Sequence, residues 1–155
     1  MNNTKKITYV FLQGRKQRIN ARKEISKEFF YTYFYAVKNY TNVEIVEMEN
    51  FEPTISQKFL RKVDSFINKL SKLPIYTYAI FKRKNLKIFK QSDFVILSND
   101  RVAFSSLPMI WLTKIGNPDV SFSFFVMGLF SNFPKYRIQT FLRNILIKMM
   151  NSQNI

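Results

Sequence analysis

At 155 residues, with 46% apolar side chains and only three glycines, the chain can build one domain with a sizeable core, and it is too hydrophobic for general disorder. It has no cysteine and no histidine. That excludes disulfides, thiol nucleophiles, Cys/His metal sites and every catalytic triad with an imidazole base, and it fits a reducing compartment. The carboxylates are few and scattered, so neither a hard-cation site nor a cofactor is expected. The formal charge of +15 has two sources to choose from. One is a polyanionic partner: nucleic acid, an anionic membrane surface or a phosphorylated substrate. The other is an AT-biased genome, which raises Lys together with Asn, Ile, Phe and Tyr.

The first apolar run after Met1-Asn2-Asn3-Thr4-Lys5-Lys6 is too short for a signal segment with a cleavage site. It reads as a first strand, "ITYVFLQG" (Ile7 to Gly14), followed by a basic loop with Arg15, Lys16, Arg18, Arg22 and Lys23. Ile25, Phe29, Tyr33, Ala36, Val37 and Tyr40 then recur at helical spacing. "NVEIVEME" (Asn42 to Glu49) alternates apolar and acidic residues, as an edge strand does. From Pro53 an amphipathic stripe of Ile55, Phe59, Leu60, Val63, Phe66, Ile67 and Leu70 runs beside Lys58, Arg61, Lys62, Lys69 and Lys72. Pro74 predicts the first turn of a second helix, although "IYTYAIF" also passes as a strand. Helical character resumes through "KRKNLKIFKQ". A strand at Asp93 to Leu97 and a helix from about Leu107 to Ile115 follow, the latter ending at Gly116-Asn117-Pro118. Pro108 marks either that helix's first turn or a kink. "DVSFSFFVMG" is the fourth strand, and Pro134 starts a helix carrying Ile138, Phe141, Leu142, Ile145, Leu146 and Met149. The longest apolar run, Val120 to Phe130, contains two serines and falls short of the roughly 20 residues of a spanning helix. The expectation is a non-integral, cytoplasmic protein.

Strands alternating with helices predict an α/β chain: one domain over residues 1–155, with a Rossmann-like, mostly parallel sheet of about four strands and helices on both faces. In such sheets ligands bind outside the carboxyl ends of the strands. Three polar or glycine-bearing turns fall there: Gln13-Gly14-Arg15, Ser98-Asn99-Asp100-Arg101 and Gly128-Leu129-Phe130-Ser131. Asn and Asp after a strand also serve as helix caps, and "QGRKQR" is neither a dinucleotide nor a triphosphate motif.

Three segments resemble the N-terminal half of a bacterial glycosyltransferase of GT-B architecture, in which two Rossmann-like domains face each other across the active site. They are "ITYVFLQGRKQRINARKEISKEFF", "SDFVILSNDRVAFSSLPMIWLTKIG" and "DVSFSFFVMGLFS". Their order and spacing are similar to the retaining, family-four-like "group 1" sugar transferases, over nearly the whole chain. The resemblance implies transfer of a hexose from a nucleotide-sugar donor to a lipid or polysaccharide acceptor of the cell envelope, without a metal bound by the protein. It puts Gly14 and Arg15 near the donor phosphates, Asn99 and Asp100 toward the acceptor with Asp100 as general base, and Gly128 and Ser131 beside the reacting sugar. It further implies peripheral attachment to the inner face of the membrane, through the helices beginning near Pro53 and Pro134. Relatives often have a histidine after the fourth strand and a glycine pair in the first loop, whereas this chain has no histidine and Gly14 alone. With the C-terminal donor domain absent, the expectation is a truncated or split protein, inactive without a donor-domain partner.

The alternative is a basic module for an anionic membrane surface, without catalysis, using the faces Lys58 to Lys72 and Lys82 to Lys90. Nucleic acid is the poorest fit among the partners, because no recognised motif occurs and the basic residues are spread over several segments. Phe29, Phe30, Tyr31, Tyr33, Phe34 and Tyr35 cover more than one helix face, so some fill the core and the rest meet a partner domain or lipid.

Overall fold

The computed structural model describes residues 3–20, 30, 32–49, 54–125 and 136–151. Strand β1 (Asn3–Leu12) contains the β-branched and aromatic run of the first segment. Its alternation sends Ile7, Tyr9 and Phe11 to one face of the sheet and Val10 to the other, and all four are buried. A strand buried on both faces belongs inside a sheet, and β1 has neighbours on both sides. β2 (Tyr40–Met48) pairs along one edge and β3 (Phe94–Leu97) along the other, with β4 (Ser121–Phe124) beyond β3. The order is β2-β1-β3-β4 and every pair is parallel. Tyr9 lies opposite Ile45 and Ile96, and Val10 opposite Val46 and Leu97.

The two faces carry separate cores. On one, Ile7, Tyr9 and Phe11 pack with Phe30 and Ala36, flanked by Ile19, Tyr33, Val43 and Ile45. This brings in α1 (Arg15–Asn20) and α2 (Tyr33–Asn39). On the other, Val10, Val46, Met48, Val95, Leu97 and Phe122 meet Ala79, Ile80, Ile88, Phe89, Val102, Phe104 and Ile110. These come from α4 (Thr77–Ile80), α5 (Arg83–Lys90) and α6 (Asp100–Gly116). α3 (Ile55–Ser71) lies against α4, and α7 (Arg137–Asn151) against α3. The chain is therefore α/β with an all-parallel, Rossmann-like four-stranded sheet and helices on both faces. Burying each large core side chain contributes about 1.5–3 kcal/mol, so β1 is the most strongly held strand.

Several elements differ from the expectation. Of the basic stretch after Gly14, Arg15–Asn20 is helix rather than loop, because Gly14 turns the chain at φ +85° and the Glu47 carboxylate accepts the Lys16 N–H at 2.7 Å. Tyr40 opens β2 instead of continuing the helix before it; residues 21–29 lie outside the described residues. Pro74 sits in extended chain, and the helix waits until Thr77. The sixth helix starts at Asp100, seven residues earlier than expected, and runs through Pro108. Pro108 removes one backbone donor, while Asn99 caps the helix start and the Ser105 and Thr113 hydroxyls bond the Arg101 and Met109 carbonyls at 2.6 and 2.7 Å.

The outer helices pack Ile67 and Ile147 toward the core but also bury polar residues and expose apolar ones. α3 turns Asp64 and Ser71 inward, while Ile55, Phe59 and Phe66 are 89%, 69% and 64% exposed. α7 buries Gln139 and Arg143 and leaves Phe141 62% exposed.

Candidate binding crevice at the carboxyl edge

Loops after β1 and β3 leave the same edge of the sheet in opposite directions. After β1 the chain turns at Gly14 to α1 on the Tyr9 face; after β3 it passes Ser98 and Asn99 to α6 on the Val10 face. Because β1 and β3 are neighbours, the divergence makes this edge the topological switch point, the place at which open parallel sheets bind ligands. The ladder holds to its rim: the Ser98 N–H donates to the Val10 carbonyl at 3.2 Å.

Gly14, Arg15, Asn99 and Asp100 each have a defined place relative to this rim. Gly14 is glycine for its backbone, since φ +85° disfavours other residues while a Cβ there would meet nothing within 4 Å. Its carbonyl accepts from Arg18 at 3.3 Å. The Arg15 guanidinium carbon lies 5.9 Å from the centre of the Phe30 ring, and the first turn of α1 already has a carboxylate, that of Glu47. Asn99 is the N-cap of α6, its Oδ1 accepting the Val102 N–H at 2.9 Å, which is the capping role open to it in the sequence. Asp100 is the acid in the first turn of α6, where the helix dipole favours negative charge. The fold thus brings Gly14, Asn99 and Asp100 to the ends of adjacent strands. Gly128 and Ser131 lie outside the described residues.

Two grooves open elsewhere. One, of about 420 Å³, follows the outer edge of β2 between Lys16 and Tyr33 on one side and Lys82, Asn85 and Ile88 on the other. Its glutamates are engaged by the chain itself: Glu44 with Lys6 at 3.0 Å, Glu49 with Lys82, and Glu47 with the Lys16 amide. The second, of about 400 Å³, lies between α3 and Tyr76–Tyr78. Neither is lined by Gly14, Arg15, Asn99 or Asp100.

The residues around the second groove escaped the sequence reading. Asp64 is only 3% exposed, and its Oδ2 accepts the Tyr78 N–H at 3.0 Å. Asn68 grips Ile75 twice, donating to its carbonyl at 2.7 Å and accepting its N–H at 2.8 Å. The signal was the column Leu60, Asp64, Ile67, Ser71: an acid on the same helix face as two apolar residues belongs to a packed surface. Burial pushes the Asp64 carboxyl above its ordinary pKa, against the hydrogen bonds from Tyr78 and Thr77 that pull it down.

No family model, curated protein or solved structure matches this chain. Among the described residues, no group of three or more acidic side chains is placed to hold a metal ion, and no helix is long and apolar enough to cross a membrane.

Because the folded chain holds the Asp64 proton more tightly than the unfolded chain, its contribution to stability is full below about pH 4 and is lost as pH rises through the raised folded value. The melting temperature of Asp64→Asn minus that of the native chain should therefore become more positive between about pH 4 and pH 7. Thermal denaturation followed by circular dichroism measures it, and a difference that falls over this window contradicts the assignment.

Proposed function

We propose that this chain is the acceptor-side half of a sugar-transfer site, working with a donor-binding domain to move a hexose from a nucleotide sugar to a lipid or saccharide acceptor. The observation that carries the reading is the switch point, where Gly14 and the Asn99-Asp100 pair terminate neighbouring parallel strands whose connections part to opposite faces. In this reading Asp100 acts as general base on the acceptor hydroxyl. The Asn99 cap, tied to Val102, sets the direction in which the first turn of α6 presents it. Arg15 counters donor phosphate charge from the opposite lip. Titration of an oligosaccharide or lipid-linked saccharide acceptor into the isotopically labelled chain should shift the amide resonances of Gln13 to Arg15 and Ser98 to Arg101. With UDP-hexose the chain alone should neither hydrolyse nor transfer. Shifts confined to other residues, or turnover by the chain alone, contradict the reading.

A second reading is favoured by α3: a peripheral module on the inner, anionic face of a cytoplasmic membrane, without catalysis. Ile55, Phe59, Val63 and Phe66 form an exposed apolar stripe, and every charged residue of α3 other than the buried Asp64 is Lys or Arg. α7 has no acidic residue at all and exposes Phe141 and Ile145. An apolar stripe rimmed only by cations suits the headgroup boundary of an anionic bilayer, where each Lys or Arg contributes about 1 kcal/mol. The chain should float with phosphatidylglycerol vesicles, less so as salt rises, and Phe59→Glu should abolish flotation. Absent or salt-insensitive binding ends this reading.

A further inference from the structure

We propose that the groove between α3 and the Tyr76–Tyr78 segment is a binding site for a phosphate-bearing ligand, built with cations that the membrane reading of α3 also uses. Its cations lie along one helix, Arg61 and Lys69 on α3 and Lys72 at the residue that ends it. Among the described residues none of the three has an acidic partner within ion-pair distance. The one acid in the lining, Asp64, is buried and accepts the Tyr78 N–H, so it leaves the cations to an incoming anion.

The groove is also rigidly built, which distinguishes it from a scatter of surface lysines. Asn68 fastens Ile75 by both of its polar atoms, Asp64 holds Tyr78, and the Tyr76 N–H donates to Ser105 Oγ at 2.8 Å. The tyrosines thus fixed steady the guanidiniums in turn. Arg61 Cζ is 5.8 Å from the centre of the Tyr78 ring and Arg101 Cζ is 4.6 Å from that of Tyr76. A guanidinium over a ring keeps its N–H edge for an anion and loses little freedom on binding. Lys72 adds a separate indication. It ends α3 in the left-handed conformation, at φ 59° and ψ 22°, where glycine is favoured and a side chain strains the backbone. A lysine kept at such a position supplies a cation that glycine would not.

Charge count and hydrogen-bond geometry select the ligand class. A phosphate dianion complements a groove lined by three cations, and its oxygens can accept from guanidinium, ammonium and tyrosine hydroxyl donors. The site is too short for a nucleic-acid track, which recruits 6–10 phosphate contacts.

Two arms distinguish a free phosphorylated ligand from a lipid headgroup. Isothermal titration of the full chain with inorganic phosphate and with glycerol 1-phosphate addresses the first, and co-sedimentation with phosphatidic acid vesicles the second. Saturable binding in solution identifies a soluble ligand; binding to phosphatidic acid vesicles beyond that to phosphatidylglycerol vesicles of equal surface charge identifies a headgroup, and equal binding to both belongs to the α3 surface and counts as no binding in that arm. In whichever arm binds, Arg61→Ala should weaken affinity about tenfold. Lys72→Gly should weaken it by several-fold while melting no lower than the native chain, which a merely structural role for Lys72 would not produce. The proposal is overturned if neither arm binds, or if binding is unchanged by both substitutions.

Discussion

The structure depends on β1 having a parallel partner on each side and a helical layer on each face. Tyr9, Val10 and Phe11 are three consecutive residues, each at most 1% exposed, which only the interior of a two-faced sheet allows. Once β1 is central, the remaining topology has little freedom. The crossover to β2 covers the Tyr9 face, and the return to β3 on the far side of β1 covers the Val10 face. Right-handed connections impose this when the direction of travel reverses. The switch point between the ends of β1 and β3 is therefore a consequence of strand order.

The same constraint explains what could be read from the sequence. Segments whose partners are fixed by local periodicity were visible: the runs that became β1, β2 and β3, the helix α5, and the stop of α6 at Gly116. Elements that depend on distant groups were not. α1 is a polar hexapeptide, and its first turn is held by Glu47 from a strand 31 residues away. The first turn of α6 is written in Asn, Asp and Arg, which resemble a loop until the Asn99 side chain is seen on Val102. Pro108 reads in the sequence as a first turn or a kink, and it lies inside α6, eight residues past the helix start. Gly14 and the Asn99-Asp100 pair were found because strand ends can be located from the sequence. The Asp64–Tyr78 groove was missed because it forms where one helix clamps a coil segment 14 residues further on.

Mixed polarity in α3 and α7 is the other organising fact. An amphipathic helix normally buries its stripe, whereas these two bury polar residues beside Ile67 and Ile147 and leave Phe59, Phe66 and Phe141 outside. The inner contacts of α3 are specific hydrogen bonds, from Asp64 to Tyr78 and from Asn68 to Ile75, which orient the helix with its apolar stripe outward. The sheet edge holds the switch point, the outer helices present exposed apolar and cationic residues, and the Tyr76–Tyr78 groove lies along α3.

The placement of β1 can be measured directly by nuclear Overhauser contacts across the sheet. The account predicts parallel-ladder contacts between Tyr9 and Ile96 on one side and Tyr9 and Ile45 on the other, with the slowest amide exchange in the chain at Ile7 to Phe11. Close pairs of α-protons between β1 and β3, the mark of antiparallel neighbours, or rapid exchange along β1, would contradict it.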